Sequence, residues 1–334
     1  MTGRRFPVAL AGAAAAAGLL GCAGREPTSP VTQAQSITAS RLQRRVADIA
    51  DDSMLGRATP SPALDRLAAY AVAQFQASGL RPGAGAGFIQ TWSAPRGPAP
   101  NVAGVLEGSD ASLAGEYVVF VAHMDHIGTP GSAEGCAAVG ADSICNGADD
   151  NASGTAAVIE LARAFAGLEP RPRRSLLFLL VSGEELGLLG SQYYVAHPAV
   201  PVARMVAAVA LDMISRNAPD SVLALRLAAG SLDTLATAVA AAHPELGLRL
   251  HVATGGGSDH VSFAQSGVPA VALFAGLHAD YHRPTDSADR IDAGKAAHIA
   301  RLAFYLGLEL ANRNARPSAA PPPRAVPAAA DAAP

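Results

Sequence analysis

An α/β layer fold with a largely parallel central sheet is the class this sequence predicts, and three observations carry it. Four short runs are apolar at nearly every position, as strands buried on both faces must be, instead of alternating like half-exposed strands. Helical patterns lie between them, and alternating strands and helices build a sheet covered on both sides. Each run also ends in, or soon leads to, a side chain able to hold a metal ion or move a proton.

The first run is Tyr117-Val118-Val119-Phe120-Val121-Ala122, followed directly by His123-Met124-Asp125. A helical spacing of Val158, Leu161, Ala162 and Phe165 then predicts a helix over Asn151 to Ala166. The second run, Leu176 to Val181, ends in Ser182-Gly183-Glu184-Glu185; the third, Met205 to Leu211, ends in Asp212. After a helix over Leu232 to Ala242 comes Ala270-Val271-Ala272-Leu273-Phe274, which leads within eight residues to Tyr281-His282. A final helix spans Ala293 to about Asn312. In open α/β sheets the carboxyl edge is where sites are built, because strand ends hold side chains on a rigid frame while the loops vary.

Composition bounds the remainder. With 334 residues, 50% of them hydrophobic and 16% charged, the chain supports one large domain with a sizeable core. A net charge of -3 with no basic face or acidic run gives no support to nucleic-acid binding. Residues 1–21 read as a signal peptide: Arg4 and Arg5 precede an apolar run too short to span a bilayer comfortably. The run closes in Leu19-Leu20-Gly21-Cys22, which resembles a bacterial lipoprotein signal, with Cys22 as the lipidated residue. A plain secretory signal cleaved nearby is the alternative, and both readings export the protein. Ala23, where inner-membrane retention would favour Asp, points to the outer membrane, the protein facing the periplasm. Residues 22–40, rich in Ser, Thr, Pro and Gln, read as a tether; 41–313 as one folded domain; 314–334, rich in Ala and Pro, as a disordered tail. Cys136 and Cys145, nine positions apart in an oxidising compartment, are expected to form a disulfide.

The stretch 147–154, GADDNASG, admits two readings. Asp and Asn favour helix starts, and a helix follows; alternatively the crowded carboxylates belong to a site. His123, Glu184, Glu185 and Asp212 each have an ordinary explanation singly, as a strand-end histidine, first-turn acids or a turn cap. Together, on one sheet edge, two histidines, three carboxylates and a spare Glu have the composition of a two-metal centre.

HMDHIG (123–128), GADDNASG (147–154), SGEELGLLGS (182–191), LDM (211–213), SDHVSF (258–263) and YHRPTD (281–286) together resemble the co-catalytic di-zinc aminopeptidases of the bacterial leucyl aminopeptidase type. That family is related to glutamate carboxypeptidase, glutaminyl cyclase and the transferrin receptor. The resemblance runs in order from about residue 100 to 313. It implies a three-layer sandwich with a mostly parallel, mixed central sheet flanked by helices, and two Zn2+ per chain, with Co2+ or Mn2+ as substitutes.

By the same resemblance His123 and Asp212 bind one zinc, Glu185 and His282 the other, Asp149 bridges both, and the peptide bond between Asp149 and Asp150 is cis. Glu184 is the general base, and Asp125 orients the His123 ring. Oxygen and imidazole donors without thiolate suit these metals. Four positive charges meet Asp149, Glu185, Asp212 and a shared hydroxide, so Glu184 stays free for proton work. The implied reaction is removal of N-terminal residues from peptides, with Tyr281 a candidate oxyanion helper. Alternatives are a glutaminyl cyclase-like acyltransferase and a non-catalytic lipid-anchored binding protein on the same fold. Di-metal carboxypeptidases that insert about a hundred residues before the last His are disfavoured, since Asp212 to His282 spans only 70 positions. His126, His197, His243, His251, His278 and His298 match no ligand role, and Ser258, Asp259 and His260 read as support. The expected partner is a peptide, with membrane contact only through the lipid anchor; oligomeric state and side-chain specificity are not legible.

Overall fold

The computed structural model describes residues 28–318, so the signal segment, Cys22 and the tail beyond residue 318 lie outside the described residues. Nine strands form one sheet: β1 (Arg81–Pro82), β2 (Ile89–Ala94), β3 (Gly97–Leu106), β4 (Tyr117–His123), β5 (Ser175–Val181), β6 (Met205–Asp212), β7 (Ser221–Arg226), β8 (Arg249–Thr254) and β9 (Ala270–Phe274). Their order is β1-β3-β5-β4-β6-β9-β7-β8, with β2 also paired to β3. The four strands expected from the apolar runs, β5, β4, β6 and β9, are adjacent and mutually parallel. β3 joins β5, and β7 joins β9, in antiparallel fashion, so the sheet is mixed.

Eight α-helices accompany it among the described residues: α1 (Pro30–Gln35), α2 (Ala39–Ile49), α3 (Pro62–Ala77), α4 (Gly154–Ala166), α5 (Leu189–Ala196), α6 (Ser231–Ala242), α7 (His260–Gln265) and α8 (Ala293–Asn312). The two-residue period of a strand divides the core between the sheet's faces. Val118, Phe120 and Ala122 of β4 pack in one cluster with residues of α2, α3, α4 and α8. Val119 and Val121 face the other, which holds Tyr194 of α5 and Phe263 of α7. The result is three layers. Register places Phe120 beside Phe178, and their rings stack at 5.5 Å. Phe165 of α4 stacks in turn on Phe304 of α8. Only glycine fits at Gly307, because a Cβ there would lie 2.2 Å from Phe120.

The domain starts earlier than the tether reading of residues 22–40 allowed. Ala34 and Ile37 are apolar positions in this largely polar stretch, and both are buried. Gln33 donates to the carbonyl of Gly167, and Thr38 caps α2. At the other end, Asn314 accepts from Arg173, and Arg316 pairs with Glu116, so the first residues assigned to the tail also lie against the domain. The expected disulfide is present between Cys136 and Cys145.

Candidate metal centre

The carboxyl ends of β4, β5 and β6 converge on one side of the sheet, and the residues that follow them build the centre. His123 closes β4, Asp212 closes β6, and Glu184 and Glu185 follow β5 after Gly183. His282 arrives from the loop between β9 and α8. Three groups of donor atoms result, each group mutually within 4.8 Å: His123, Asp150 and Asp212; His126, Asp150, Glu185 and His282; and His123, Glu184 and Glu185.

Asp150 is common to the first two groups, and its two oxygens face opposite ways. Oδ1 lies 3.4 Å from His123 Nε2, which is also 3.4 Å from Asp212 Oδ1. Oδ2 lies 3.2 Å from His282 Nε2, itself 3.1 Å from Glu185 Oε2. His282 Nε2 nonetheless has no aligned hydrogen-bond partner. These atoms converge on shared points between them, as ligands of cations do.

The carboxylate in this position is therefore that of Asp150 and not the expected Asp149. Asp149 turns away. Its Oδ1 accepts from the backbone N–H of Ser215 at 2.7 Å and from the Ser215 hydroxyl at 2.6 Å, and its Oδ2 lies 3.3 Å from His278. The cis peptide bond correspondingly joins Asp150 to Asn151, one residue later than expected. Asp286, at the end of the YHRPTD stretch, fixes the doublet by accepting from the backbone N–H groups of both Asp149 and Asp150. Asn151 ties the same turn to the end of β6 by donating to the Leu211 carbonyl and accepting from Met213 N–H.

Asp125 also differs from its expected part. The His123 ring nitrogen Nδ1 is 3.1 Å from the Asp125 backbone carbonyl but 3.7 Å from its carboxylate. The carboxylate instead accepts from Gly183 N–H at 2.7 Å, from Thr59 and from Glu184 N–H, which fixes the loop that presents Glu184. Thr155 holds His123 from behind, donating to its carbonyl.

Arg57 carries no sequence signal and is fully buried. Its guanidinium donates to the carbonyls of Ile49, Met124, Asn146 and Gly147, tying the loop after β4 to the start of GADDNASG. Burial lowers its pKa to about 10, opposed by the charges of Asp150, Asp286 and Asp125, so it remains a cation at neutral pH.

One buried guanidinium does not balance so many acids, and the protonation equilibria show it. Burial pushes Asp150 up to about 6, with Glu185 adding to the rise. Burial likewise pushes Glu184 well above its ordinary range, while His123 opposes it. On Glu185 the burial effect is outweighed by the hydrogen bond from His126 and the close His282 ring, and the carboxyl falls below its usual range. His282, although desolvated, is raised to about 10 by Asp150 and Glu185. These directions favour the protonated forms of Asp150, Glu184 and His282. Divalent cations fit the cluster: the donors are carboxylate oxygens and imidazole nitrogens without thiolate, a set suited to zinc.

Beside the first group opens a cavity of about 240 Å3. His123, Asp150, Glu184 and Asp212 form its polar end; Met213, Leu225, Ala272, Phe274, Leu277 and Tyr281 give it largely apolar walls. The Tyr281 ring stacks on His282 at 3.8 Å. Ser258 lines the cavity, while Asp259 and His260 are buried nearby and belong to none of the three groups. His126 does belong, contrary to expectation.

The chain matches the sequence pattern of Peptidase family M28 over residues 101–307. It is 34% identical over 154 residues to leupeptin-inactivating enzyme 1 of Streptomyces exfoliatus, an alignment covering 45% of this chain and 34% of the relative. The chain's matches cover between 34% and 57% of the curated relatives' own lengths. Among solved structures, the zinc aminopeptidase BSAP from Bacillus subtilis superposes with a TM-score of 0.67 at 15% identity, covering 83% of this chain and 96% of that one. Porphyromonas gingivalis glutaminyl cyclase superposes with 0.66 at 19% identity, over 80% and 97%. Likeness at such identity shows a common fold, and two different chemistries share it. The match over residues 101–307 spans more than half of the 334 residues, and the chain belongs to Peptidase family M28.

Proposed function

We propose that this chain is a metal-dependent exopeptidase that removes N-terminal residues from peptides. The observation that carries this reading is the placement of Asp150, one oxygen toward each of two donor groups, at the polar end of a cavity that also exposes Glu184. Two zinc ions are the proposed occupants, with His123 and Asp212 on one side of Asp150, and Glu185 and His282 on the other. Such a pair supplies Lewis acidity at the scissile carbonyl and a water acid enough to lose its proton at neutral pH.

Glu184 accepts that proton and returns it to the leaving amine. Burial pushes its carboxyl above the ordinary range, the direction that favours proton acceptance. Asp125, through Gly183 and Glu184 N–H, holds the base in place. The Tyr281 hydroxyl is the proposed helper for the developing oxyanion, since it lines the same cavity. The cavity walls receive the side chain of the N-terminal residue, and their apolar character selects Leu, Met or Phe over charged residues.

The test is a panel of aminoacyl-anilides and peptides with free or acetylated N-termini, given to the zinc-loaded protein. Hydrolysis of free Leu, Met and Phe substrates is expected, with a loss of roughly 10²-fold or more for Lys and Asp or on acetylation. Chelation should abolish turnover and zinc should restore it. An absence of peptide-bond cleavage across the panel, with metal bound, contradicts the reading, and ammonia released from an N-terminal Gln without cleavage would establish the cyclase alternative.

The proposal extends to location. Arg4, Arg5 and the LLGC stretch ending at Cys22 support export and lipid anchoring in the bacterial envelope, and the Cys136–Cys145 disulfide suits an oxidising compartment. The wild-type chain should incorporate labelled fatty acid and Cys22→Ser should not; label in the variant, or none in the wild type, would refute lipidation at Cys22.

A further inference from the structure

The two donor groups that share Asp150 are unequal. On the His123 side there are three residues, His123, Asp150 and Asp212; on the His282 side there are four, because His126 joins Asp150, Glu185 and His282. We propose that His126 is a fourth protein ligand, through Nδ1, of the cation on the His282 side. The proposal rests on the two-cation reading above and adds to it that one position is closed by protein and the other open.

Spacing supports this first. Tetrahedral zinc with bonds of about 2.0–2.1 Å places its ligand atoms about 3.3 Å apart. His126 Nδ1 lies 2.8 Å from Glu185 Oε1 and 3.6 Å from Asp150 Oδ2. His282 Nε2 lies 3.1 Å from Glu185 Oε2 and 3.2 Å from Asp150 Oδ2. Whichever oxygen of Glu185 is counted, three of the six edges are thus near the tetrahedral value, and one donor atom from each of the four residues lies within 4.8 Å of the others. The two imidazoles meet edge to face, with centroids 5.4 Å apart, so neither blocks the other.

The fold also makes room for this ring at a specific position. His126 is fully buried, and its backbone N–H points to the Arg57 carbonyl. Gly147 has a φ of +57°, and a Cβ there would come within 2.5 Å of the His126 ring. The residue opening the GADDNASG stretch thereby leaves space for the ring beside Asp150.

The cavity supplies an independent observation. Its polar end comprises His123, Asp150, Glu184 and Asp212, the three-residue side with the base, whereas His126, Glu185 and His282 do not line it. Zinc positions closed by four protein ligands serve as structural ones, and those with three protein ligands keep a place open for water or substrate. A peptide in the cavity would therefore meet a cation held by His123, Asp150 and Asp212, while one held by His126, Asp150, Glu185 and His282 would be the more tightly bound.

The test uses the full chain loaded with cobalt(II). An imidazole bound to cobalt(II) through one nitrogen gives one strongly shifted, solvent-exchangeable N–H proton resonance from the other. With two cobalt ions per chain, three such resonances are expected, from His123, His126 and His282. In His126→Ala two should remain, and the tighter of the two cobalt dissociation constants should rise at least about tenfold. The wild-type count stands even if the variant fails to fold. Two resonances in wild type carrying two cobalt ions would overturn ligation by His126 and leave the two-cation reading intact. Failure of wild type to take up two cobalt ions would overturn both.

Discussion

Glu184→Gln should bind zinc as the wild type does and lose turnover by about 10²- to 10⁴-fold, the usual contribution of a general base. The amide has nearly the shape of the carboxylate but cannot accept a proton at neutral pH. Glu184 stands in the group with His123 and Glu185, yet the two groups that share Asp150 contain five other residues and do not include Glu184. Its backbone N–H, held by Asp125, is untouched by the substitution. Zinc content and turnover on Leu-anilide, measured on the same preparation, decide the matter. A variant with full zinc that retained more than about a tenth of wild-type activity would remove Glu184 from the proton transfer, and a variant that lost zinc would make it a ligand.

Asp150→Asn should empty the centre, whereas Asp149→Asn should leave its zinc in place. The two carboxylates are adjacent in sequence and both are buried, so composition and exposure do not separate them. Their contacts do. Asp150 stands between the donor groups, and losing one buried charge shared by two cations removes a ligand from each; zinc content should fall from about two per chain toward zero in dialysed protein, with turnover lost alongside. Asp149 accepts from Ser215, a bond the amide oxygen of Asn can still accept, so the expected cost there is a small loss of stability, on the order of 1 kcal/mol. Zinc retained by Asp150→Asn and lost from Asp149→Asn would reverse the assignment.

The same doublet shows how far the sequence could be read. The strand runs, the helices between them and the carboxyl-edge site were legible because buried parallel strands leave a local, continuous apolar signal. His123, Glu185, Asp212 and His282 all stand in the two donor groups that share Asp150, and Glu184 stands beside them in the third. Which of Asp149 and Asp150 faces inward was not legible, because it depends on the backbone course through Gly147 and Asn151, fixed by Asp286 far along the chain. Resemblance carried the bridging role to the wrong member of the pair by one position.

Other omissions have similar causes. β3 holds Gly97, Pro98, Pro100 and Gly104, residues that suggest a turn, yet pairing with β2 over its first half and with β5 over its second overrides those local preferences. Ala34 and Ile37 were too sparse to signal packing within a polar stretch. Arg57 acts through four backbone carbonyls, for which no motif exists. His126 was set aside because the family resemblance gave it no part, although the HMDHIG stretch displays it three positions from His123.

The central claim, that Asp150 is shared between two cations at the carboxyl edge of the sheet, is tested most directly by anomalous diffraction at the zinc edge from crystals of the zinc-loaded protein. The expected map has two peaks, one beside His123 and Asp212 and one beside Glu185 and His282, each facing a different oxygen of Asp150. A single peak, or a pair coordinated by Asp149 with Asp150 turned away, would contradict it.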